Sequence, residues 1–221
     1  MPAVKVQPRP WLRKFDPAEL VLATFRYFLG RCTIATCCFA QHELAVAWPH
    51  LPAKVQDAIR KELEFAFDRD DASRRTGGNA HPLGWDCDRQ AWQHVRDAYT
   101  AKPDAKRKRV KRTKKADYLQ YFHDARMMVV GSFRHHLGRT DLPAQKFAEA
   151  LAESWDGIPE IDRNIVKREL LDAFKEDSPA YRPLGNAAMR HEWAKVADAW
   201  NGLCPGCSRV KHNCLCSHEE D

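Results

Sequence analysis

Apolar positions recur at helical spacing along most of this chain. Asp16-Pro17-Ala18-Glu19 offers a capping carboxylate, a proline in the first turn and an acid at the third position, which together mark a helix start. The helix is predicted to run to about Leu29 and to stop at Gly30. A second helix is predicted to end at Trp48, where Pro49 and Pro52 break the pattern. A third carries Val55, Ile59, Leu63, Ala66 and Phe67 on one stripe, and a fourth carries Trp92 and Val95. Further along, Ile161, Ile165, Leu170, Ala173 and Phe174 form a similar stripe, and Trp193 and Val196 another. No stretch alternates with period two. The expected fold is all-α: two small bundles of roughly four helices each, with short connections.

The two halves repeat one another. Phe25-Arg26-Tyr27-Phe28-Leu29-Gly30-Arg31 reads against Phe133-Arg134-His135-His136-Leu137-Gly138-Arg139, offset by 108. Trp48 matches Trp155, Pro52 matches Pro159, Glu62-Leu63 matches Glu169-Leu170 and Ala66-Phe67 matches Ala173-Phe174, all offset by 107. Pro82-Leu83-Gly84 then matches Pro183-Leu184-Gly185 at 101, and Trp92, Val95, Asp97 and Ala98 match Trp193, Val196, Asp198 and Ala199. Order kept over so many positions points to an internal duplication. The organisation read from this is a first helical module at 1–101, a basic linker at 102–115, a second module at 116–201 and a cysteine-rich tail at 202–221. The stretch from Asp68 to His81, with Arg74, Arg75, Gly77 and Gly78, reads as a loop that is shorter in the second copy. It is the expected place for the copies to diverge.

Charge adds a candidate surface. Lys106, Arg107, Lys108, Arg109, Lys111, Arg112, Lys114 and Lys115 place eight cations within ten residues, and without them the net charge falls from +6 to −2. Such a run can contact the phosphates of nucleic acid, and in a eukaryotic cell it would pass for a nuclear address. It can equally be a solvated, self-repelling spacer. Charge against phosphate carries no base sequence. The chain is 44% hydrophobic, enough to build a core. The polar, proline-rich start offers no secretory apolar region, and Val21 to Trp48 is too interrupted by Arg26, Gly30, Arg31 and His42 to span a bilayer. A cytoplasmic location without a membrane partner is expected, and there thiols stay reduced.

The sharpest chemical signal is Cys204-Pro205-Gly206-Cys207 followed by Cys214-Leu215-Cys216. Two tight thiolate pairs suit a tetrahedral zinc ion, and four protein ligands make it structural. His212 and His218 could replace a cysteine, and free thiols or a disulfide are the alternatives. Cys32, Cys37, Cys38 and Cys87 show no partner pattern and read as buried small apolar residues. Arg26, Arg31, Glu62 and Asp97 recur as Arg134, Arg139, Glu169 and Asp198. Arginine–carboxylate pairs inside a bundle, and a cation following a helix-ending glycine, account for them structurally. Zinc-protease, deaminase, Walker, dinucleotide and nucleophile-elbow motifs are all missing, so no catalytic residue is assigned.

The residues Leu29, Gly30, Arg31, Thr33, Trp48, Glu62 and Phe67 form an aromatic–Leu–Gly–Arg–x–Thr opening, a helix ending in Trp and a helix closing on Phe. This resembles a group of small proteins of tailed bacteriophages and prophages. The second copy keeps Leu137, Gly138, Arg139, Thr140 and Trp155, with the threonine one place early and Pro143 where the next helix should begin. The resemblance implies a phage or mobile-element origin. The resulting expectation is a non-enzymatic phage-type accessory protein that binds nucleic acid or a host nucleoprotein and modulates host defence or host machinery. A helical protein–protein adaptor and an enzyme with an unrecognised site are the alternatives.

Overall fold

A computed structural model of the chain describes residues 9–101 and 117–202. All regular structure among them is helical, so the protein is all-α as its periodicity predicts. The helices are α1 (Pro17–Phe28), α2 (Ile34–Cys38), α3 (Ala45–Ala47), α4 (Ala53–Thr76), α5 (Asp86–Thr100), α6 (Ala125–His136), α7 (Leu142–Glu153), α8 (Glu160–Glu176) and α9 (Ala187–Trp200). Among the described residues no helix is long and apolar enough to cross a membrane. Two compact units form. Of the described residues, one takes 20–101 and 117–131, and the other takes 9–19 and 132–202.

In the first unit, the α1 residue Phe25 meets Trp92 of α5 edge-on, with ring centroids 5.6 Å apart and planes at 90°. Phe28 and Phe39 stack at 5.1 Å. The predicted second helix is not continuous: α2 passes into a π-helical stretch, Phe39–Leu44, before α3. Phe39 to Trp48 spans one residue more than Phe147 to Trp155. A π turn absorbs such an insertion without turning Phe39 or Trp48 out of the core. After α1, Gly30 adopts φ +80°, and a Cβ there would lie 3.2 Å from the Pro82 carbonyl oxygen. Only glycine suits both the left-handed turn and that close approach.

The segment 117–131 completes this unit. Phe122, 1% exposed, stacks on Phe39 with centroids 6.5 Å apart. Tyr121 stacks on His50. The His123 N–H donates to Glu43 Oε2 at 2.6 Å, and burial pushes the Glu43 carboxyl above the usual glutamate range. The Thr24 hydroxyl lies 2.9 Å from the Met128 carbonyl oxygen.

The second unit has its own edge-on aromatic pair and left-handed glycine turn. Phe133 meets Trp193 edge-on at 5.7 Å and 90°. Gly138 has φ +82°, with the Pro183 carbonyl oxygen 3.3 Å from where its Cβ would stand. Asp141 caps α7 by accepting the Ala144 N–H at 3.1 Å, and Pro143 sits harmlessly in the first turn. The segment 9–19 closes the core: Phe15 packs on Phe147 at 5.4 Å, and the Ser154 hydroxyl donates to the Trp11 carbonyl at 3.2 Å.

Two further expectations require correction. Ile161 is exposed and Ile165 only half-buried, whereas Asp162 and Val166 point inward. The buried stripe of α8 lies one residue later than the isoleucines suggested, running Asp162, Val166, Leu170, Ala173. The stretch from Asp68 to His81 is not a loop at its start, because α4 continues to Thr76 and ends at Gly77, φ +68°. The two extra turns are held by ion pairs from the helix to α5, which hydrophobic periodicity does not register.

Truncating Phe122 to Ala should cost about 3–5 kcal/mol by chemical denaturation, as should Trp92→Ala, because each leaves a cavity in the first unit. A loss under about 1 kcal/mol for Phe122→Ala would mean that residues 117–131 do not belong to that core.

Candidate functional site

The strongest sequence candidates, the basic run Lys106–Lys115 and the tail cysteines Cys204, Cys207, Cys214 and Cys216, lie outside the described residues. The recurrent arginines lie within them and serve the bundles. Arg26 places Nε 3.1 Å from both Glu62 oxygens and Nη2 2.6 Å from Oε1. Arg134 grips Glu169 through the same two nitrogens. Arg31 donates through Nε to the Tyr27 carbonyl at 2.7 Å and lies over the Tyr27 ring, as expected of a cation beside exposed helix-end carbonyls. Arg139 turns to Asp141 and holds that carboxyl below the usual aspartate range.

A denser arrangement forms where the end of α4 meets the start of α5. Asp70 is wholly buried and accepts from Arg74 at 2.6 Å and from Arg89 at 3.0 Å, both at Oδ2. Arg74 also reaches Asp86 at 2.6 Å, and Arg89 reaches Asp71 at 2.6 Å. Asp70 Oδ1 has no hydrogen-bond partner among the described residues. Beside this network lies an open hollow of about 570 Å³, lined by Asp68, Asp71, Arg74 and Arg75. In the second unit Arg190 reaches Asp177 at 2.6 Å. Carboxylates and guanidiniums compensate one another here, so the hollow has no strong single-sign field.

The same corner overturns the reading of the scattered cysteines. Cys32 and Cys87 are exposed, and Cys37 and Cys38 are half-buried. Cys37, Cys87 and Asp88 bring two sulfurs and a carboxylate oxygen within 4.8 Å of one another. The Cys37 thiol donates to Asp88 Oδ1 at 3.3 Å, while Asp88 Oδ2 accepts the Trp85 N–H at 3.1 Å. That second bond caps α5, whose N-cap residue Trp85 has no side-chain acceptor of its own. Burial pushes the Cys37 thiol up to about 12, and Asp88 beside it adds to the shift. Cys37 and Cys87 are fifty positions apart on different helices, a separation that no local spacing rule detects.

Comparison with protein-family models, curated proteins and solved structures finds no match to this chain.

Removing the charge of the wholly buried carboxylate leaves two guanidiniums short of their shared partner. Asp70→Asn should therefore cost about 2–3 kcal/mol, discounted for arginines that are a third exposed. Asp177→Asn breaks a pair with a more exposed arginine and should cost under about 1 kcal/mol. Urea unfolding of both variants checks the order, and equal losses would contradict it.

Proposed function

We propose that the chain is a duplicated helical protein whose two modules flank a nucleic-acid-binding arm. Pairwise agreement of the units supports duplication. The edge-on contacts Phe25–Trp92 and Phe133–Trp193 correspond, as do the ion pairs Arg26–Glu62 and Arg134–Glu169. Arg89–Asp70 corresponds to Arg190–Asp177 in the same way. The change of sequence offset from 108 to 107 falls where the π-helical stretch adds its residue. The likeness of Phe25 to Phe67 to small phage proteins fits an accessory role in a phage or mobile element, directed at nucleic acid or a host nucleoprotein and without catalysis.

One observation carries the binding reading: eight cations between Lys106 and Lys115 in a chain otherwise near neutrality. Within the described units many of the arginines are neutralised locally. Arg26, Arg74, Arg89, Arg96, Arg134, Arg139 and Arg190 are each engaged with a carboxylate. A dense cationic run releases condensed counterions when it meets phosphates, so the binding it drives is strong at low salt and indifferent to sequence. A second reading, a helical adaptor, is favoured by Ile34 and Leu142. These residues open α2 and α7 and remain 85% and 60% exposed. Cys204, Cys207, Cys214 and Cys216 are proposed to hold one structural zinc ion in the tail.

Binding to duplex DNA and to RNA, measured over a salt series, tests the arm. Replacing Lys106, Arg107, Lys108 and Arg109 with Ala should weaken binding to all sequences alike. It should also flatten the log–log salt slope by about 0.9 for each duplex phosphate no longer neutralised. No binding by the wild type near physiological salt would end the nucleic-acid reading in favour of a protein partner. Binding that survives the substitutions would move the surface to Arg209, Lys211 and His212 of the tail. For the tail itself, Cys204→Ser should remove one equivalent of zinc per chain after mild chelation, and a variant that retains its full metal content would refute the tail site.

A further inference from the structure

We propose that Cys37, Cys87 and Asp88 form a metal site in the first unit, taking one zinc-type divalent ion with a fourth position open to solvent. Tetrahedral zinc, with about 2.3 Å to sulfur and about 2.0 Å to oxygen, holds a sulfur and an oxygen ligand about 3.5 Å apart and two sulfurs about 3.8 Å apart. Cys37 Sγ and Asp88 Oδ1 stand 3.3 Å apart, and all three ligand atoms fall within 4.8 Å. The donor set is therefore within small side-chain rotations of a coordination shell. Two thiolates and one carboxylate form a set that suits zinc better than magnesium or calcium, which demand oxygen.

The site is also oriented. The Trp85 N–H fixes Asp88 through Oδ2 and leaves Oδ1 turned to the cysteines, the arrangement by which an outer hydrogen bond aims a metal ligand. Gly84, at φ +83°, makes room for it: a Cβ there would stand 2.8 Å from Asp88 Oδ2. Cys87 lies at the surface and gives an ion its path in. The proton that Cys37 now shares with Asp88 would be displaced by the ion, since thiolate is the ligand form. The second unit forms its helices without counterparts of these residues. At the corresponding positions the second unit has Gln145, Ala188 and Met189, with Met189 buried and Asn186 capping the helix by accepting the Met189 N–H at 2.9 Å. The cluster is thus an addition to one unit.

The test uses the full reduced chain and cobalt(II) as a spectroscopic stand-in for zinc. With Cys204, Cys207, Cys214 and Cys216 all changed to Ser, one equivalent of cobalt should produce a near-ultraviolet sulfur-to-metal band and the visible bands of a four-coordinate ion. Cys37→Ser or Cys87→Ser should abolish both, and Cys32→Ser should change neither. Asp88→Asn can still accept the Trp85 N–H and should weaken binding by at least about tenfold. In parallel, Cys87→Ser in the otherwise native chain should lower bound zinc by one ion per chain, whether or not the tail holds another. Absence of the cobalt bands, bands that survive Cys37→Ser and Cys87→Ser, or unchanged zinc content in the native-tail variant would each overturn the site.

Discussion

Each unit is organised around one indole. Trp92 and Trp193 are fully buried, and each meets a phenylalanine, Phe25 of α1 or Phe133 of α6, at close to a right angle. That geometry aligns the positive edge of one ring with the negative face of the other. It ties α1 to α5 in the first unit and α6 to α9 in the second. Neither indole N–H finds an acceptor among the described residues. Leaving a buried donor unmade costs about 1–3 kcal/mol, while burying a tryptophan surface of about 200 Å² gains roughly 5 kcal/mol. Apolar burial wins, so both units tolerate the unsatisfied nitrogen.

Much of this framework was legible in the sequence because it rests on local patterns. Asp16-Pro17 marks the start of α1, and the Ala18 N–H does meet the Asp16 carboxylate at 2.8 Å. Gly30 and Gly138 mark left-handed helix ends. Trp48, Trp92, Trp155 and Trp193 are core residues in fact as in pattern. The errors also have physical causes. Isoleucines at 161 and 165 suggested a stripe that the fold sets one residue later, accepting the buried Asp162 in place of an apolar side chain. The last turns of α4 look like a loop because Asp68 to Thr76 lacks apolar period, yet Arg74 and Arg89 converge there on one buried carboxylate.

The Cys37–Cys87–Asp88 cluster was not legible for a different reason. Short motifs work when ligands share a turn. Here one sulfur comes from α2 and the other from the first turn of α5, and only tertiary packing joins them. The tail cysteines announce themselves by spacing, while this cluster shows itself only in three dimensions. At this corner the first unit carries the end of a long α4, an ion-pair network and the two neighbouring thiols.

The second unit is assembled from two separated stretches of chain, and both units close through contacts far apart in sequence, which shapes how the protein must be made. The first unit waits for Phe122 and His123, the latter 80 residues beyond its partner Glu43. The second draws on a segment from near the start of the chain, with Trp11 meeting Ser154 across 143 positions. During synthesis the leading segment emerges long before its core exists, and the first bundle stays open on one side until a later part of the polypeptide arrives. Closure of such distant contacts is slow, because loop entropy is lost before packing compensates it. Apolar faces such as that of Phe39 stay uncovered in the interval, the period in which a nascent chain is most exposed to aggregation and most dependent on chaperones.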